Sequence, residues 1–220
     1  MSNAKKFEKF STIFLLAGLC FLIVAFIVLG LGPATMVSSD KGQGLPKEVP
    51  QEFKQYYTSV EAYHQALMNG RDIYIKEACW HCHSQYVRPV SNETLRYGPV
   101  SQPGEYQNIL NLPQLFGTRR VGPDLSRESG KRPNDWQFTH LFNPKWVEPQ
   151  SVMPSFTWYF DVQSKDGKKV DISEALNPDV VIKPKQGAID LVAYLQWLGS
   201  EADLTGVNYD SNQITMPPAK

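Results

Sequence analysis

The sequence has little of several features that would place a chain in a specialised class. Only three of its 220 residues are cysteine, an odd number too small for a disulfide-stapled secreted fold. Neither sign of charge is in excess, because Lys+Arg and Asp+Glu number 22 each. This balance argues against nucleic acid as the main partner, since phosphate binding needs a basic surplus. Proline and glycine are near average usage, which excludes a collagen-like or disordered chain.

What the sequence does contain is, first, a long stretch without charge between Lys9 and Asp40. Within it the run from Ile13 to Leu31 is almost wholly apolar. As a helix this run is about 28 Å long, close to the ~30 Å hydrocarbon thickness of a bilayer. A cleaved signal peptide has a shorter apolar core, and a buried soluble helix normally has a polar face. We therefore expect an uncleaved single-pass anchor over residues 10–36, embedded in the lipid bilayer.

Positive charge on the short N-terminal side predicts the orientation of this anchor. Lys5, Lys6 and Lys9 precede it, and positively charged flanks stay in the cytoplasm. We expect residues 1–9 to be cytoplasmic and the C-terminal bulk to lie on the periplasmic side of a bacterial inner membrane. The Gly- and Pro-containing residues 37–55 are interpreted as a linker.

The two remaining cysteines lie in a C-x-x-C-H motif, formed by Cys79, Cys82 and His83. This motif is typical of c-type haem attachment: the two thiols bond to the porphyrin vinyl groups, and the histidine that follows is the proximal iron ligand. A thioredoxin-like redox pair needs a βαβ context, and a zinc site needs a second pair of ligands. Neither is present in the sequence, so we expect one covalent haem c.

A second axial ligand to the iron has to come from elsewhere in the chain. Met153, followed by Pro154 in a loop flanked by aromatic residues, is the favoured candidate. Coordination by Met and His also raises the potential, as suits an electron carrier. The alternatives are a Met that fills a core gap, or ligation by His140 or His64 instead.

Three further residues are candidates for cofactor contacts. A ligating histidine usually donates its other ring N–H to an acceptor, and the Pro123 carbonyl is a candidate for that role with His83. Arg119 and Arg120 are candidates for pairing with the haem propionates. Either arginine is equally well interpreted as a solvated surface charge.

The scaffold is predicted to be mainly α-helical. Apolar spacing indicates one helix over residues 60–78, which leads into the motif, and a second over residues 187–199. Gly70 permits close approach of the second helix, and Gly199 is a candidate for the C-cap of that second helix. We expect a class I cytochrome c-like domain over residues 56–200, followed by a tail at 201–220.

Several short motifs, taken together and in order, resemble the mono-haem subunit II of cbb3-type cytochrome c oxidases. The resemblance covers the chain from the anchor to about Gly199. The motifs are Gly70-Arg71-Asp72-Ile73-Tyr74-Ile75, Cys79-Trp80-His81-Cys82-His83-Ser84-Gln85, Arg88-Pro89, Arg96-Tyr97-Gly98, Gly122-Pro123-Asp124-Leu125, His140-Leu141-Phe142-Asn143-Pro144 and Met153-Pro154.

This resemblance implies an electron-transfer subunit that has no oxygen-reducing site of its own. In the family, the haem c passes electrons to a separate catalytic subunit with b-type haems and copper, where oxygen is reduced to water. A di-haem cytochrome c subunit usually supplies those electrons. It also implies that His140 is structural or interfacial rather than an iron ligand.

Three other functions remain open on the sequence. The c-type subunit of a nitric oxide reductase has the same plan of one membrane span and one haem. A stand-alone, membrane-tethered electron carrier would bind soluble partners transiently. A haem sensor would have an open or easily displaced sixth position on the iron.

Overall fold

The structure is a computed structural model that describes residues 2–32, 34–35, 45–106, 108–117 and 119–200. The predicted tail, 201–220, lies outside these residues, and so do positions 36–44, where the anchor was expected to end and the linker to begin. The chain divides into two units, which we describe separately.

The first unit is a long apolar helix. Helix α1 spans Ser2–Ala25 and continues as a π-helical stretch over Phe26–Leu31. Its segment Phe10–Leu31 is long enough to cross a membrane and has a mean hydropathy of 3.0. None of its side chains is buried against protein. The unpacked apolar surface is what a lipid-facing helix presents, and it fits a single-pass membrane protein.

The second unit is built mainly from helices. The α-helices are α2 (Val60–Lys76), α3 (Glu93–Tyr97), α4 (Asn134–Phe142) and α5 (Gln186–Trp197). Short 3₁₀ turns lie between and beside them: Gln51–Phe53, Cys79–His81, Pro103–Tyr106, Ile109–Asn111, Pro144–Trp146, Thr157–Tyr159 and Ile172–Glu174. The mainly α architecture predicted from the sequence is confirmed.

Helices α2 and α5 form the centre of this unit, and Gly70 is the reason they approach so closely. A Cβ atom at Gly70 would lie 2.1 Å from the backbone oxygen of Asp190 and 2.8 Å from the Tyr194 Cβ. No side chain fits that gap, so only glycine permits this crossing. The Asp190 carboxylate accepts a hydrogen bond from Tyr57 at 2.7 Å and a second from Asn69 at 3.2 Å, which ties the two helices together beside the contact.

Part of the segment predicted as a linker belongs to the hydrophobic core. Val49 is 8% exposed and Phe53 is fully buried, and the Phe53 ring packs 5.7 Å from that of Tyr63 on α2. Within the predicted range 37–55, residues 45–55 are therefore integral to the folded unit. The Pro and Gly content that indicated a linker does not prevent two apolar side chains from anchoring the segment.

The segment between Phe160 and Pro184 forms a β-hairpin that the sequence analysis did not predict. Strand β1 (Phe160–Ser164) pairs antiparallel with β2 (Val180–Pro184), in the register Phe160↔Pro184 and Ser164↔Val180. Phe160 and Val162 point into the core. The polar residues between the strands lie in the connection, which includes the 3₁₀ turn Ile172–Glu174.

Candidate functional site: a cavity at the C-x-x-C-H turn

The C-x-x-C-H motif forms a tight turn where α2 ends. Ala78 adopts a left-handed conformation (φ 56°), which stops the helix and starts the 3₁₀ turn Cys79–His81. The amide N–H groups of Cys82 and His83 both donate to the Cys79 carbonyl, at 3.1 and 2.9 Å. The turn brings the two thiols and the imidazole to the wall of one cavity.

Two glycines hold the following loop against this turn. A Cβ at Gly117 would lie 2.9 Å from the carbonyl oxygens of both Trp80 and His83. A Cβ at Gly122 would lie 2.3 Å from the His83 Cε1 atom, and the Gly122 amide donates to the Cys82 carbonyl at 3.0 Å. The loop backbone is therefore in direct contact with the imidazole, and a side chain at Gly122 would displace the ring.

The His83 ring is oriented by the residue that follows Gly122. Its Nδ1 lies 2.9 Å from the Pro123 carbonyl oxygen, the contact that the sequence analysis anticipated. A carbonyl only accepts, so Nδ1 carries the proton and donates, which leaves the Nε2 lone pair for a metal. Burial lowers the pKa of His83, with the Pro123 carbonyl and Asp124 acting in the opposite direction.

A network of charged and polar groups supports both sides of this contact. The Asp124 carboxylate accepts hydrogen bonds from the Ser84 hydroxyl at 2.6 Å and from the Tyr86 amide at 2.8 Å. Arg120 donates to the Ser84 hydroxyl at 2.6 Å and pairs with both Asp124 and Glu93. Ser84 follows His83 in the chain, and Asp124 follows Pro123. The network therefore holds the donor, His83 Nδ1, and the acceptor, the Pro123 carbonyl, in one arrangement.

The structure separates the two candidate arginines from the predicted cofactor site. The cavity lining includes neither Arg119 nor Arg120. Arg119 is exposed, and the Arg120 guanidinium is occupied by Glu93, Asp124 and Ser84. Their sequence neighbours do reach the cavity, since Val121, Gly122 and Pro123 all line it.

Met153 and the motif residues Cys79, Cys82 and His83 line the same cavity, which has a volume of about 840 Å³. This volume is within the usual range for ligand pockets of about 300–1,000 Å³. Burial raises the pKa of the Cys79 thiol to about 12. Phe156 and the α5 residues Leu191 and Leu195 give the cavity an apolar wall. Two thiols, an imidazole with a free Nε2, a thioether and apolar walls are the groups that fit a c-type haem.

His140, the rival ligand in the sequence analysis, also lies at this cavity. Its ring stacks on that of Trp136, with centroids 4.6 Å apart and an angle of 11° between the planes. Burial lowers the pKa of His140 to about 4, so the ring is neutral at pH 7. Its Nδ1 atom is buried, with no hydrogen-bond partner among the residues that the structure describes. The other rival, His64, contacts the Pro46 carbonyl at 2.7 Å and is not in the cavity lining.

Comparison with known proteins identifies one matching family. The model of the family described as "Cytochrome C oxidase, mono-heme subunit/FixO" matches residues 11–182, well over half of the chain. No curated protein matches the sequence. The family's description specifies one haem, in agreement with the one C-x-x-C-H motif in the sequence.

Proposed function

The chain belongs to the family of mono-haem cytochrome c oxidase subunits, and we propose that it relays electrons through one covalent haem c to a separate catalytic subunit. The family is that of subunit II of cbb3-type oxidases, which are found in the bacterial inner membrane. The apolar helix Phe10–Leu31 fits a single membrane crossing in that setting.

The observation that supports this proposal best is the gathering of four predicted site residues at one cavity. In the proposal, Cys79 and Cys82 form the two thioether bonds, and His83 and Met153 are the axial ligands. A haem bound there supplies one-electron oxidation and reduction of its iron. The protein's part is to hold the His83 ring through the Pro123 carbonyl and to exclude water with the apolar wall.

In this proposal the chain is a non-catalytic member of the oxidase complex. Its donor is a di-haem cytochrome c subunit, and its acceptor is the subunit with b-type haem and copper, where oxygen is reduced to water. We place the haem unit on the periplasmic side, because Lys5, Lys6 and Lys9 precede the membrane helix.

The test is a pyridine haemochrome spectrum of the full chain, purified from native membranes in mild detergent. We expect haem c together with haem b, and oxygen consumption by the purified material. On a denaturing gel stained for covalent haem, the band of this chain should carry no haem in the double variant Cys79→Ala/Cys82→Ala. Cys20→Ala is the matched control, because this third cysteine lies on the apolar helix, and it should keep haem c.

Two results would contradict the proposal in different ways. Haem c without haem b would favour a stand-alone tethered carrier over an oxidase subunit. A wild-type chain without any haem c would refute the proposed cofactor itself.

A further inference from the structure

Three basic residues lie together along the cavity wall. Lys131 donates from Nζ to the Tyr97 carbonyl at 3.0 Å, and the Arg96 guanidinium lies 5.0 Å from the centre of the Tyr97 ring. Arg132 follows Lys131 in the chain and lies 4.9 Å from the centre of the Trp136 ring. Arg96, Lys131 and Arg132 all line the cavity, and we call them the basic wall.

Within the part of the chain that the structure describes, the basic wall has no ion-pair partner. Among the described residues, no carboxylate lies within salt-bridge distance of Arg96, Lys131 or Arg132. Other arginines nearby do form salt bridges: Arg88 and Arg120 pair with Glu93, and Arg127 pairs with Glu105. Three cations at the wall of a cavity without a paired anion favour a negatively charged ligand there.

The acidic residues of the cavity lining are largely engaged elsewhere. Glu77 accepts a hydrogen bond from the Tyr159 hydroxyl at 2.7 Å. Asp124 belongs to the network with Ser84 and Arg120. Glu128 accepts a hydrogen bond from Gln137 at 2.8 Å and attracts Lys131 and Arg132 without forming a salt bridge to either. Glu148 is exposed at the rim. One carboxylate at longer range does not balance three cations, so the basic wall keeps a net positive charge towards the cavity.

His140 adds a neutral hydrogen-bond donor beside the basic wall. His140 follows Trp136 by four residues and Arg132 precedes it by four, and both the His140 ring and the Arg132 guanidinium contact the Trp136 ring. The buried Nδ1 of His140 has no partner among the described residues, and leaving such a group unpaired is costly. A small rotation of the ring would bring Nδ1 to a carboxylate acceptor in the cavity and satisfy it.

We propose that Arg96, Lys131, Arg132 and His140 bind the two propionate carboxylates of the haem. This inference rests on the proposed haem site, and it replaces Arg119 and Arg120 as the expected propionate partners. Arginine and lysine supply charge-assisted hydrogen bonds to the carboxylates. His140 donates from Nδ1, in the tautomer that a neutral imidazole needs for that role.

The test measures the midpoint potential of the purified full chain and the propionate bending bands in its resonance Raman spectrum. Arg132→Gln removes one positive charge near the propionates, which favours the ferric state. We expect the ratio of reduced to oxidised haem at a fixed potential to fall about tenfold, equivalent to about 59 mV for one electron. His140→Leu should lower the potential in the same direction and shift the propionate bands.

Conservative variants and a matched control separate this role from a general effect on folding. Arg132→Lys and His140→Asn keep a cation and a donor, and should restore much of the wild-type potential and spectrum. Arg119→Gln makes the same charge change at an exposed residue outside the cavity, and should change neither. If Arg132→Gln fails to accumulate, Arg96→Gln at the exposed rim has the same expected result.

The proposal is overturned if Arg132→Gln and His140→Leu match Arg119→Gln in both measurements. It is also overturned if His140→Leu changes the axial ligation of the iron, since His140 would then act at the metal. Absence of haem c from the wild-type chain would instead refute the proposed function, so the two failures are distinguishable.

Discussion

Substitution of Gly122 by alanine probes the contact between the loop and the His83 ring. The added Cβ would lie 2.3 Å from Cε1 and 2.8 Å from both ring nitrogens. Carbon atoms in good contact are about 3.5–4.0 Å apart, so the ring and the loop must separate by about 1 Å or more. The backbone of Gly122 is not in the left-handed region, so crowding of the imidazole is the main effect.

This displacement should affect both stability and the haem. Overpacking of this kind typically costs about 1–3 kcal/mol. It also disturbs the 2.9 Å contact between His83 Nδ1 and the Pro123 carbonyl, and loss of that contact changes the electronic character of the ligand. We expect Gly122→Ala to have a lower free energy of unfolding in guanidinium and an altered midpoint potential.

Gly130→Ala is the matched control. Gly130 has φ +69°, and nothing lies within 4 Å of an added Cβ, so alanine there costs about 1–2 kcal/mol of backbone strain without crowding any group. Its potential should stay at the wild-type value. If Gly122→Ala also kept the wild-type potential and unfolding free energy, the inferred packing of the loop on the imidazole would be wrong.

Two further predictions concern the axial thioether and the Glu93 carboxylate. Met153→Ala should keep the haem attached but lose the weak near-infrared Met–iron band of the oxidised protein; a surviving band would rule out Met153 as the ligand. Burial raises the pKa of Glu93, but hydrogen bonds from Arg120 and Arg88 outweigh it and hold the pKa at about 2, against an ordinary value of 4.5. The resulting stabilisation is complete above pH 4.5 and is lost as the pH falls towards 2. The difference in unfolding free energy between wild type and Glu93→Gln should therefore shrink over that range, and a constant difference would contradict the assignment.

Features that depend on local patterns were predictable from the sequence. The helix expected over 60–78 is α2 at Val60–Lys76, and the one expected over 187–199 is α5 at Gln186–Trp197. The expected close approach at Gly70 is present, because a glycine among larger residues on a helix face indicates such a contact. Helix α2 ends earlier than expected because Ala78 turns into the left-handed region.

Features that depend on distant partners were not predictable in the same way. The burial of Phe53 arises from Tyr57 and Tyr63, and nothing in residues 45–55 alone distinguishes a packed segment from a linker. The β-hairpin needs pairing of two short segments sixteen residues apart between Ser164 and Val180. Its second strand includes the β-branched run Val180, Val181 and Ile182. This run is the local sequence feature that favours a strand there.

The arginines show why residue type alone does not assign a propionate partner. Arg120 and Arg132 have the same chemistry, and both lie within the stretch that separates His83 from Met153. Arg120 is close to Glu93 and Asp124, so its charge is already compensated by the protein. Arg132 has an aromatic ring beside it and no paired carboxylate among the described residues, so its charge remains available to the cavity. The position of the acidic residues in the folded chain therefore decides which arginine belongs to the network behind His83 and which one is left without a salt bridge at the cavity.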